Sequence, residues 1–221
     1  SLGLGLTLMV TLALIDTGLR RQLTSTLPEK APTFFALDIR SNDLDAFSRL
    51  VETTVPGTTL ETVPMLRGRI TALKGTPVDR IDAPESARWA LSGDRGITLS
   101  AEPPANSTLA SGAWWPRDYK GEPLVSFEDE LAREFGLSIG DTVTVNVLGR
   151  EITAKVASTR KVEWQSLSIN FVMVFSPSTF AGAPYSVLST AALPTSGDAA
   201  IDRGNEGRLV RAVVAAFPTA T

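Results

Sequence analysis

Apolar positions along the chain change rhythm several times, and each rhythm predicts an element. From Leu2 to Ile15 every residue is apolar or glycine except Thr7 and Thr11, and the run ends at Asp16, Arg20 and Arg21. This is shorter than the ~20 residues that cross a bilayer. The chain starts at Ser1 and no Ala-x-Ala-like cleavage pattern follows, which argues against a signal peptide. The run predicts a truncated transmembrane helix. Leu12, Ile15, Leu19 and Leu23 continue at helical intervals, so the helix is expected to run on as an amphipathic stalk, giving a segment over residues 1–27 that Pro28 ends. A buried amphipathic helix is the other reading of this stretch.

Phe34 to Ile39 reads as a strand. Ser41, Asn42 and Asp43 supply helix-start chemistry before a helix, Leu44 to Val55, with Leu44, Phe47, Leu50 and Val51 on one face. Pro56-Gly57 ends it. Thr58 to Val63 is rich in β-branched residues, and the extended run continues past Pro64 through Arg69 to Leu73 before a turn at Gly75-Thr76-Pro77. This predicts a βαβ unit over residues 28–81. The end of the chain, 163–221, repeats the grammar: a strand from Tyr185 to Ala191, a polar loop, and a helix from Arg208 to Phe217 broken by Pro218. Two βαβ-like halves sharing one sheet are expected, with the strand after the second helix missing or very short.

Between the halves, residues 82–162 hold more turn residues, short alternating strands, and Trp89, Trp114 and Trp115. They predict an inserted β-rich subdomain, and the fold class is α+β. Within it, Ser126 with Asp129 reads as a capping box, and Gly136 sits where a left-handed helix cap belongs. Thr142 to Leu148 then alternates valine with polar residues and turns at Gly149-Arg150 into Glu151 to Val156, a hairpin.

Composition narrows the chemistry. With 221 residues, 43% of them hydrophobic, the chain can bury a core without staples. The net charge is −3 and the basic residues are scattered, which is no nucleic-acid footprint. Cysteine and histidine are both absent. That excludes thiolate chemistry, histidine proton transfer, the Ser-His-Asp triad and the usual zinc sites. No catalytic, cofactor-binding or metal residue is assigned, and no cofactor is expected. Gly93-Asp94-Arg95-Gly96 lacks the spacing and lysine of a phosphate loop, so the chain is not expected to hydrolyse ATP. Asp94 and Arg95 read as a strained turn at a junction or as a partner-binding ion pair. Trp114, Trp115 and Trp164 read as packing or as a platform for a hydrophobic ligand. Asp79, Asp82 and Glu85, like Glu128, Asp129 and Glu130, read as solvated charge rather than a glycosidase-like pair.

The stretch Ser126-Phe-Glu-Asp-Glu-Leu-Ala-Arg-Glu-Phe-Gly-Leu-Ser-Ile-Gly-Asp resembles the E-x-x-A-x-x-L-G-L-x-x-G-D pattern of the MacB-like periplasmic core domain of FtsX-like ABC transporter permeases. Asp129 stands for the pattern's Glu and Phe135 for its Leu. Further pieces are similar to the YbbP-like branch of that family: Met65-Leu-Arg-Gly-Arg-Ile, Leu91-Ser-Gly-Asp-Arg-Gly-Ile-Thr, Ser111-Gly-Ala-Trp-Trp, Arg160-Lys-Val-Glu-Trp and Asn170-Phe-Val-Met-Val-Phe. The resemblance covers nearly the whole chain.

It implies a domain exposed to the periplasm, between the first and second membrane helices of a permease in the bacterial inner membrane. It also implies a porter part of βαβ halves and an inserted sabre-like part. The domain itself would be non-catalytic, its motions driven by a cytoplasmic ABC ATPase subunit, and the cargo would be a hydrophobic or lipid-like substrate or an envelope partner protein. A periplasmic esterase or lysophospholipase is an implied associate. The alternative is a static membrane-anchored binding module for a lipid or an envelope protein; a membrane-tethered hydrolase is the third class.

Overall fold

The computed structural model describes residues 34–164 and 168–218. The membrane helix and stalk expected over 1–27 lie outside them. No helix among the described residues is long and apolar enough to cross a membrane.

The expected strand and helix at the start of the described chain are β1, Phe34–Arg40, and α1, Leu44–Thr54. Ser41–Asp43 form a 3-10 turn that runs into α1, and none of their side chains caps the helix. β2 spans Thr59–Leu73 without a break, roughly 50 Å of extended chain. β1 and β2 do not touch as a plain βαβ unit would require. The strand β10, Ser186–Ala192, lies between them and is antiparallel to both, with Thr190 opposite Phe35 and Leu188 opposite Val63. The two halves expected from sequence are therefore one split βαβ unit with a third strand threaded through it. The helix after β10, α4, covers Ala199–Ala216, nine residues before the expected start at Arg208 counted from Ala199. Its first turns carry no apolar stripe, but Asp198 accepts from the Ala200 N–H at 2.8 Å and caps it. Hydrogen bonds from Ser196 to Asp202, at 2.9 Å and 2.7 Å, brace the same turn and hold the Asp202 carboxyl below its ordinary value.

The two proline-terminated helices pack together on this sheet. Phe47, Val51, Leu209 and Val213 are buried with Ile39, Val187 and Ala191, and Phe47 meets Phe217 edge to face at 5.7 Å. Each such side chain contributes roughly 1.5–3 kcal/mol by leaving water.

The second half of β2 belongs to a closed barrel. Its strands run β2, β4 (Arg95–Leu99), β9 (Met173–Phe175), β6 (Leu124–Glu128), β8 (Arg150–Val162) and β7 (Thr142–Val147), and β7 pairs back onto β2. β4 with β9 and β6 with β8 are parallel; the other pairs are antiparallel. β3 (Thr76–Pro77) folds back antiparallel onto the end of β2, and β5 (Ser107–Gly112) adds an outer strand to β8. Ile70, Ile97, Val125, Phe127, Val145, Met173 and Phe175 fill the interior. β9 and half of β2 are barrel strands although they lie outside residues 82–162.

The hairpin expected at Gly149-Arg150 is present. Val143, Val145 and Val147 face inward, and the two-residue turn is Leu148-Gly149, with φ 52° and 82°, the geometry that matches the twist of the strands. The capping box expected from Ser126 and Asp129 is not. Ser126 is buried in β6, its hydroxyl accepting from Ser158 at 2.9 Å, and the helix α3 covers only Asp129–Glu134. Glu128 is the cap, accepting from the Glu130 and Leu131 N–H groups at 3.2 Å and 2.8 Å. At the other end Gly136 has φ 62°; Gly136 donates to Arg133 and Leu137 to Ala132, closing the helix as a Schellman motif.

Where β2 passes from one layer to the other it carries Pro64. The Thr98 hydroxyl donates to the Pro64 carbonyl at 2.6 Å, and backbone pairing with β4 starts only at Leu66. The donor that proline lacks therefore falls where no ladder bond is made.

Candidate functional site

The motifs that are scattered in sequence meet around the barrel. Leu66, Arg67 and Gly68 lie opposite Ile97, Gly96 and Arg95. Gly68 lets β2 approach closely, since a Cβ there would stand 2.9 Å from Val147 and 3.1 Å from Ile97. Glu128 N–H donates to the Val172 carbonyl at 2.9 Å, tying α3 to the segment before β9. Arg160, 2% exposed, lies opposite Glu128 in the β6–β8 ladder and donates to the Phe171 carbonyl at 2.6 Å. Thr159 donates to Asp129 at 2.7 Å, and Asp129 pairs with Arg133 at 3.2 Å. A buried polar seam thus joins three motifs.

Sequence reasoning did not single out Arg160 as a buried charge. No alternation announced it: a bulge at Ala157 shifts the register of β8, so that Ala154 and Val156 face the barrel interior while Ser158 and Arg160 lie on the other face opposite Ser126 and Glu128. Burial brings the Arg160 guanidinium down to about 10, with the Glu128 charge acting against that. Its folded value lies below its unfolded one, so between them the unfolded chain holds the proton that the folded chain has lost. From this residue alone, stability should rise as pH climbs from about 10. Arg160→Met should flatten that rise in denaturant melts run between about pH 9 and 11.5; an unchanged slope would refute the buried-cation reading.

The tryptophans divide. Trp115 is 5% exposed and its indole N–H donates to Ser100 at 2.8 Å; Trp114 stacks on it at 4.2 Å and donates to Ala101 at 3.0 Å. Both are packing residues with satisfied polar edges. Trp164 is 47% exposed, and the structure sets it beside Trp89, which is 44% exposed and which sequence reasoning passed over. Trp89 stands on α2, Glu85–Leu91, next to α3. The two indoles line a cleft of about 340 Å³ with Leu131, Ser86, Glu130 and Glu134, floored by Glu128. The Ser86 hydroxyl donates to Glu134 at 2.8 Å, linking the helices.

Gly93 has φ 77° and turns the chain. Arg95 folds back from it onto the Trp89 and Ser92 carbonyls, and its guanidinium stands 5.2 Å from the centre of the Trp89 ring. Asp94, exposed, is not its ion-pair partner in any bond the structure shows. Asp79, Asp82 and Glu85 are exposed, whereas Glu128 is 4% exposed and serves as a helix cap. The expectation that Glu128 is solvated charge is corrected: it lies on the face of β6 opposite the barrel interior, where α3, Arg160 and the segment before β9 cover it. Among the described residues no group of His, Cys, Asp and Glu is placed to hold a metal.

On the far side of the barrel a second cavity, about 590 Å³, is lined by Val147, Leu148, Ile152, Phe180, Ala183 and Pro184 among others. Leu148, at the tip of the β7–β8 hairpin, is 64% exposed.

The sequence places this scaffold, with its apolar and aromatic clefts, among transporters: the chain belongs to the ABC transporter permeases. The relative is the uncharacterized ABC transporter permease YbbP of Escherichia coli (strain K12), 30% identical over 167 residues that make up 74% of this chain. The chain matches only 19% of YbbP's own length. No protein-family profile matches the chain. Among solved structures, a domain described as that of a permease protein from Porphyromonas gingivalis aligns over 77% of this chain and 80% of its own, with a TM-score of 0.40 and 12% identity; it adds no weight to the argument.

Proposed function

We propose that this chain is the periplasmic portion of an inner-membrane ABC permease, coupling ATP hydrolysis by a cytoplasmic subunit to the handling of a hydrophobic or lipid-like substrate or an envelope partner. The sequence relationship to YbbP carries the reading. Support for a mechanical role comes from β2, which is one unbroken strand in both the α/β layer and the barrel. A displacement of the α/β layer, which the chain enters through β1 and leaves through α4, must therefore be felt in the barrel. The porter part is then β1, β10, α1, α4 and the first half of β2, and the barrel is the inserted part. The cavity beside Leu148 is large enough for an acyl chain or other apolar group, with Val147, Ile152 and Phe180 on its wall and Arg150 and Glu151 also lining it.

The test is purification of the full-length protein from native membranes. An ATPase subunit should come with it, and the complex should hydrolyse ATP. Leu19→Pro, which breaks the expected stalk helix, should leave the protein folded and inserted while abolishing transport-linked turnover. A protein that repeatedly purifies alone would instead be a static, membrane-anchored receptor, and transport surviving Leu19→Pro would remove the stalk from the mechanism.

A further inference from the structure

The cleft between α2 and α3 has a lining that selects for charge as well as shape. Its walls are the half-exposed rings of Trp89 and Trp164 with Leu131, and its polar groups are Glu130, Glu134, Glu128 and Ser86. None of the residues that line it is basic. The nearby arginines are committed elsewhere: Arg133 pairs with Asp129, Arg160 is buried opposite Glu128 and donates to the Phe171 carbonyl, and Arg95 is held by the Trp89 and Ser92 carbonyls. Arg95 also shows what the aromatic wall accepts, since its guanidinium already stands over the Trp89 ring. An indole face attracts a cation through its quadrupole, and carboxylates at the rim add to that attraction. Anions are repelled, and a neutral apolar group would desolvate the carboxylates for no return.

At about 340 Å³ the cleft is at the small end of ligand sites. It has room for one long side chain rather than a whole cofactor, and half-exposed tryptophan is a residue that protein interfaces favour. We propose that this cleft receives an arginine or lysine side chain of a partner polypeptide, the aliphatic stem lying between the two indoles and the cationic head meeting Glu130 and Glu134. The proposal holds whether the protein is a transporter or an anchored receptor.

The test uses the intact protein and three probes, followed by tryptophan fluorescence and calorimetry: acetyl-Gly-Arg-Gly-amide, the same peptide with citrulline in place of arginine, and tetramethylammonium chloride. The arginine peptide should bind saturably with Kd of about 1 mM or tighter, and several-fold more weakly in 0.5 M salt. Citrulline keeps the shape without the charge and should bind at least about 5-fold more weakly. Trp164→Ala and Glu134→Gln should each weaken the arginine peptide by about 5-fold or more; Trp164→Phe should restore part of the loss. Trp164 is half-exposed and glutamine at 134 keeps an acceptor for the Ser86 hydroxyl, so melting temperature should hold and serve as the folding control. Equal binding of the citrulline peptide, no effect of Trp164→Ala, or no saturable binding would overturn the proposal. Tetramethylammonium binding as tightly as the peptide would overturn its assignment to a protein side chain.

Discussion

Phe127→Ala should lower the free energy of unfolding by about 3–5 kcal/mol. The Phe127 side chain is fully buried inside the barrel on β6, and its ring meets Phe135 edge to face at 6.3 Å. Deleting it costs the transfer energy of the ring and leaves a void that the ladder cannot close, because β6 is held on one side by β8 and on the other by β9. Phe135 ends α3, so the void also loosens the helix that walls the tryptophan cleft. Denaturant melts followed by circular dichroism measure the loss. A change below about 1 kcal/mol would mean that the barrel interior can collapse around the gap, contrary to a closed ring of paired strands.

Gly112→Ala should be the costliest conservative change on the surface, at about 2–4 kcal/mol. Gly112 ends β5 with φ 76°, and a methyl group there would lie 2.2 Å from the Ala157 carbonyl oxygen and 2.9 Å from Ser158 and Ile139. Ser158 is fixed by its pairing with Ser126 on β6, and Ala157 is the bulged residue beside it, whose carbonyl already accepts from the Ala113 N–H. The outer strand must therefore peel away, and amide exchange in β5 should accelerate more than exchange in β6. Gly182→Ala separates the two causes, because Gly182 has φ 78° and nothing within 4 Å of its would-be Cβ. It should lose only about 1 kcal/mol. Equal losses at the two sites would show that backbone conformation, and not the clash with β8, is what Gly112 relieves.

Local elements were legible wherever a periodic pattern met punctuation. Val143, Val145 and Val147 before Gly149 announce a hairpin, and Phe47, Leu50 and Val51 before Pro56-Gly57 announce a helix. What the pattern does not carry is which strand a strand pairs with. Nothing local to Ser186–Ala192 says that it enters between β1 and β2, because an inward-facing valine satisfies any neighbour that covers it. Barrel closure was hidden for the same reason: β9 is only Met173–Phe175, too short for alternation to show. The candidate cleft was half visible. Trp164 stood out beside a motif, while Trp89 sat in a short helix among alanines, and only the fold brings that helix to the end of β8, where Trp164 stands. Glu128 was read as one of three solvated carboxylates because a run of acids is usually that; its fate was decided by its place at the end of β6, on the face opposite Phe127, where it caps the helix and is covered by it.

The threading of β9 has a consequence for the order of events during synthesis. β4 and β6 are its two neighbours, one parallel and one antiparallel, and both precede it by tens of residues in the chain. Until Met173–Phe175 has left the ribosome, the nascent barrel is an open sheet with β4 and β6 as raw edges, each rich in Ile, Leu, Val or Phe. Local helices and the β7–β8 hairpin can form early, but closure waits on contacts between distant parts of the chain, which slows folding. Exposed strand edges of this kind recruit other chains. The few residues that complete the ring therefore also set how long the unfinished protein stays open to misassembly.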